Sequence, residues 1–107
     1  MDMVDEVYLF AQHLPVEEKY GLRSQMTRCA VSVPSNIAED SAKRSEKDFI
    51  RYLGNALGSA YELETQLMIC ERQYLGETQR IADIMKRTQE IQRMITSFQN
   101  HLRTKVP

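Results

Sequence analysis

Four stretches of the chain place apolar residues at the spacing of a helix face, and none alternates strictly as a half-buried strand would. The first runs from Asp2 to His13. Val4, Val7, Tyr8 and Ala11 recur on one face. Pro15 ends the segment, because proline lacks an N–H and disfavours a helical residue before it. The second runs from Val16 to Ser41, striped by Leu22, Met26, Cys29, Ala30, Val33 and Ile37. Pro34 lies inside that stripe, which keeps its phase across it, so the pattern predicts a kinked helix rather than two helices. The third runs from Ser45 to Tyr74. Ser45 and Asp48 have the spacing of an N-cap with an acidic first turn, and Phe49, Tyr52, Leu53, Ala56, Ala60, Leu63, Leu67 and Cys70 form the core stripe. Gly76 is placed to stop this helix. The fourth runs from Thr78 to Arg103, where Ile81, Ile84, Thr88, Ile91, Ile95, Phe98 and Leu102 repeat like a coiled-coil seam. Amphipathic helices with short links predict an all-α fold, an antiparallel up-down-up-down four-helix bundle with residues 1–107 as one domain.

The composition agrees with a soluble globular chain: 107 residues, 42% hydrophobic and 27% charged, with a formal net charge of -1. No apolar run is long enough for a transmembrane helix, and the acidic start MDMVDEVYLF is unlike a secretory signal. Cys29 and Cys70 form no metal-spaced pair. These features predict a cytoplasmic protein without membrane contact. Catalytic equipment is sparse. His13 and His101 lack a motif partner, both cysteines occupy core phases, and there is no glycine-rich phosphate loop. The expectation is no enzyme, no cofactor, no metal and no small-molecule substrate.

Three features remain once the core is assigned. The third helix carries a second apolar stripe, Ile50, Leu57, Tyr61 and Met68, which is either a wide core face or an oligomer contact. Gly54 and Gly58 lie one turn apart on the same helix, a pattern that favours close packing. Helices two and three carry polar stripes: Gln25, Arg28, Ser32, Asn36 and Glu39 on one, Asn55, Ser59, Glu62 and Gln66 on the other. Facing each other, they would form a network in which Arg28 pairs with Glu62 or Glu39; otherwise they are solvated flanks or a ligand site. Charge is also uneven. The first 20 residues are net acidic, whereas Lys86, Arg87, Arg93, Arg103 and Lys105 gather near the C-terminus and Lys43, Arg44, Lys47 and Arg51 open helix three. These clusters suit either solvated faces or backbone contact with RNA or DNA.

The stretch from Tyr20 to Leu75 carries a resemblance. It reads YGLRSQMTRCAVSVPSNIAED, then FIRYLGNALGSAYELETQL. Gly21, Leu22, Gln25, Arg28, Ala30, Ser32, Pro34, Asn36, Ile37, Ala38 and Glu39 match the first motif of the 23S rRNA intervening-sequence protein family. Phe49, Leu53, Gly58, Ser59, Glu62, Leu63, Gln66 and Leu67 match its second. Asp40 stands where the family has glycine. The resemblance implies a left-handed bundle that assembles with copies of itself as a ring, commonly a pentamer, with no established enzymatic activity. Relatives are encoded inside insertions in ribosomal RNA genes. The accessory protein of diversity-generating retroelements is similar and forms a basic pentameric barrel that engages a reverse transcriptase and nucleic acid. A pI near 6.1 argues against simple transfer of that last role.

The expectation is therefore a non-enzymatic, oligomeric binding or scaffold module that contacts RNA, DNA or a nucleic-acid-processing partner. The alternative is a protein–protein adaptor without nucleic-acid contact.

Overall fold

A computed structural model describes residues 2–18, 21–40 and 45–105, with the side chains of Glu39 and Asp40 left out. The elements are α1 (Asp2–Gln12), a short 3-10 turn (Val16–Glu18), α2 (Leu22–Asp40), α3 (Glu46–Arg72) and α4 (Thr78–Arg103). Each long helix packs on its sequence neighbour, and α1 closes the circuit against α4. The contacts run in opposite directions along each pair. Ser32 meets Ser59 while Met26 meets Cys70, so α2 and α3 are antiparallel. Gln92 meets Ala60 while Gln99 meets Ile50, so α3 and α4 are too. This is the four-helix bundle the hydrophobic pattern predicts.

The boundaries follow from local chemistry. Ser45 is the N-cap of α3, its hydroxyl accepting from the Asp48 N–H at 3.1 Å. Gly76 turns the chain with φ +90, a left-handed conformation that disfavours other residues. A Cβ at Gly76 would stand 2.4 Å from the Phe10 ring, so the α3–α4 turn also makes room for α1. Helix α2 starts later than the pattern suggests: Val16 is exposed in the 3-10 turn, and the helix begins at Leu22. It continues through Pro34 to Asp40.

The core is a column of Val7, Phe10, Met26, Ala30, Leu53, Ala56, Ala60, Leu63, Leu67, Cys70, Ile84 and Ile95, all buried. Two phases differ from the sequence pattern. In α1 the buried face is Met3, Val7, Phe10 and Ala11, and Tyr8 is 44% exposed. Phe10 and the following Leu14 carry the larger apolar surface and take the inner face, while the tyrosine keeps its hydroxyl near water. In α4 the inner positions after Thr88 are Gln92, Ile95 and Gln99, and Phe98 is 46% exposed. A straight α-helix drifts against a strict heptad, which rotates Ile91 and Phe98 outward. The glutamines reach inner positions because α3 supplies acceptors. Gln92 Nε2 donates to Glu64 Oε1 at 2.8 Å and Ala60 O at 3.4 Å, and Gln99 Nε2 to Ile50 O at 3.3 Å. Gly54 leaves room for Gln99, whereas a side chain at Gly58 would meet nothing within 4 Å, so only the first glycine serves close packing. Among the described residues, no helix is long and apolar enough to cross a membrane.

Candidate binding surfaces

The second stripe of α3 divides into two parts. Ile50 and Leu57 are partly buried and pack against the core. Tyr61 and Met68, two turns apart, are 50% and 51% exposed. Tyr61 borders an open groove between α3 and α4, about 750 Å³ in volume, walled by Glu64, Gln89, Arg93, Thr96 and Asn100. Glu64 is occupied by the Gln92 amide. The groove therefore presents one aromatic ring, one guanidinium and a row of neutral hydrogen-bonding groups. Composition hides this juxtaposition; the signal is the repeat of Gln89, Arg93, Thr96 and Asn100 along one flank of α4.

The polar stripes of α2 and α3 do face each other. The Ser59 hydroxyl donates to Ser32 Oγ at 2.8 Å, and Asn36 Nδ2 donates to Ser32 O at 2.8 Å and Ser32 Oγ at 3.0 Å. One turn on, the Cys29 thiol donates to Glu62 Oε2 at 3.6 Å, and Gln66 Nε2 donates to Cys29 Sγ at 3.4 Å. The Arg28–Glu62 pair expected from sequence does not form. Arg28 turns along its own helix to Ser24 Oγ at 3.4 Å, and both Arg28 and Glu62 are exposed at the mouth of a second groove, about 430 Å³, between α2 and α3. Water satisfies both charges there, so neither needs the other. The Glu39 side chain lies outside the described residues. The centre of this contact is a hydroxyl–amide chain, Ser59–Ser32–Asn36, and not a buried ion pair.

Both thiols are held protonated. Burial raises the Cys70 pKa to about 11, with the negative charge of Glu18 adding to the effect. Cys29 is raised as well, first by burial and then by Glu62, against a lowering hydrogen bond from Gln66. Neither is an activated nucleophile. Among the described residues, no group of three His, Cys, Asp or Glu side chains is gathered to hold a metal ion.

The basic positions scatter. Lys43 and Arg44 lie outside the described residues. Lys47 is exposed in the first turn of α3. Lys86 and Arg93 are exposed and share a flank of α4 at seven-residue spacing. Arg87 faces elsewhere: its Nε donates to Glu6 Oε1 at 2.7 Å, and its NH1 lies 3.8 Å from Asp2 Oδ2. Its charge is spent on fastening α1 to α4. The acidic first segment and basic fourth segment already carried that signal, because opposite charges on neighbouring helices pair before they meet anything else.

The fold and its surfaces define a four-helix bundle with polar grooves along the α2–α3 and α3–α4 contacts. The chain belongs to the 23S rRNA-intervening sequence protein family, whose model matches residues 1–97. It is similar to a crystal structure from Bacteroides thetaiotaomicron VPI-5482, a protein with unknown function from the S23 ribosomal protein family. The two share 27% sequence identity and superpose with a TM-score of 0.75 over 92% of this chain and 95% of that one. No curated protein matches.

Proposed function

We propose that this protein is a non-enzymatic scaffold that associates with copies of itself through the α3 flank. The observation that carries the reading is the exposure of Tyr61 and Met68, each about half open to solvent, on a helix whose opposite face is fully packed. A helix with apolar surface on two faces gains by burying both, and a 107-residue bundle has little core to spare. Light scattering on the wild type and a Tyr61→Glu variant tests it.

A second reading, contact with an RNA backbone, is favoured by the shared flank of Lys86 and Arg93 beside Gln89 and Asn100. Copies arranged around an axis would repeat that flank and add their weak contacts. The family's name concerns ribosomal RNA insertions, in keeping with this partner class. Anisotropy titration with structured RNA at low salt tests it, and replacing Lys86 and Arg93 by Gln should weaken binding to all sequences alike.

A further inference from the structure

The two walls of the α2–α3 groove differ in hydrogen-bonding sense. The α2 wall supplies donors. Ser32 Oγ already accepts from Ser59 and from Asn36, which leaves its own O–H to give. The Arg28 guanidinium makes one long bond, 3.4 Å to Ser24 Oγ, so most of its N–H groups are unspent.

The α3 wall supplies acceptors. Among the described residues, Glu62 Oε2 meets the Cys29 thiol at 3.6 Å, and Gln66 Oε1 is buried with no donor at all. Gln66 is 8% exposed and lines the groove, and an acceptor stranded at that depth is rare and costly. Glu62 and Gln66 stand one turn apart and both reach the same sulfur, since Gln66 Nε2 donates to Cys29 Sγ at 3.4 Å. Their two heads are therefore placed to share one cation. The Cys29 thiol, raised chiefly by burial, also feels both neighbouring charges, Glu62 raising its pKa and Arg28 lowering it. Yet Arg28 and Glu62 form no ion pair with each other or with any described residue.

We propose that this groove binds a free α-amino acid, with its carboxylate on Arg28 and Ser32 and its ammonium between Glu62 and Gln66. A zwitterion matches both walls. A phosphate or a dicarboxylate would be met by Glu62, and a polyamine by Arg28, each setting like charge against like. A guanidinium takes a carboxylate in two parallel bonds. An ammonium has three donors, enough for the Glu62 carboxylate and, once the amide turns outward, for the Gln66 oxygen that lacks one. The volume of about 430 Å³ falls in the range of small-molecule clefts. Tyr61 and Met68 lie outside this groove, so the inference stands or falls apart from self-association.

Isothermal titration calorimetry of the full chain against each standard L-amino acid tests it. At least one should give a saturable isotherm. Its N-acetyl and its amide derivatives, which each lack one charge, should bind about tenfold or more weakly. Arg28→Gln and Glu62→Gln should each weaken the amino acid by a similar factor. Both side chains are exposed, so circular dichroism and melting of the ligand-free variants should stay near wild type. Gln66→Met separates binding from packing: it should weaken the amino acid although the free protein is no less stable. Absence of saturable binding by every amino acid overturns the inference, as do derivatives or charge variants that bind as tightly as their parents. So does a fall in the solution mass of the ligand-free protein on Arg28→Gln or Glu62→Gln, which would give the groove to a second copy.

Discussion

Arg87 Nε lies 2.7 Å from Glu6 Oε1, the shorter of two charged contacts by which this guanidinium joins the last helix to the first. Arg87→Ala should loosen α1 and lower stability by ~0.5–1 kcal/mol, the range for a partly exposed pair. The exchange Glu6→Arg with Arg87→Glu should recover most of that loss. Urea unfolding of the two singles and the double measures the coupling, and additive singles would mean the contact contributes nothing.

The glycines should respond in opposite directions. Gly76→Ala combines a positive φ with a Cβ placed against the Phe10 ring, so it should destabilise by ~1–3 kcal/mol. Gly58→Ala sits mid-helix with nothing in reach and should stabilise by ~0.5–1 kcal/mol. Thermal melts of both variants check the pair, and a shift of the same sign in both would contradict this account of α3 and its turn.

Gln66 Oε1 is buried without a hydrogen-bond partner while its Nε2 has only a thiol to meet. Gln66→Met keeps the shape and removes the stranded acceptor, so it should be neutral or stabilise by up to ~2 kcal/mol. Asn36→Ala removes two donations to Ser32 and should cost ~0.5–1.5 kcal/mol. Equilibrium unfolding that ranks the two the other way would show that the α2–α3 contact is organised around Gln66 instead.

The thiols set a pH limit. Folding raises both pKa values, so the folded state binds protons that the unfolded state releases. Stability from this source is intact below the unfolded value of 9.0 and is lost as pH rises toward the Cys70 value of about 11. The melting temperature should fall through that window, and Cys70→Ala should flatten the fall even though the cavity lowers stability at neutral pH. A wild-type melt unchanged between the two values would contradict the burial argument.

Most of the fold was legible because three long helices carry strong periodicity, and α4 begins and ends at the residues its pattern indicates. The inner positions were less so. Gln92 and Gln99 are polar by type and turn inward because α3 acceptors, the Glu64 carboxylate and the Ala60 and Ile50 carbonyls, receive them, a tertiary fact no window of sequence contains. Phe10 displaced Tyr8 from the inner face through a contact with a turn 66 residues away. The binding surfaces were harder still. Ser32, Asn36 and Ser59 were visible as facing stripes, but the choice of Arg28 for Ser24 over Glu62 depends on solvent access.

Self-association through α3 is the claim on which the proposed function rests. Size-exclusion chromatography with multi-angle light scattering tests it most directly. The wild type at micromolar concentration should give a mass several times 12.5 kDa. Tyr61→Glu, or Met68→Glu, should bring the mass toward the monomer without loss of helicity, because a charge desolvated in an apolar interface finds no partner. A wild type that elutes at the monomer mass, or variants that assemble as it does, would contradict the account.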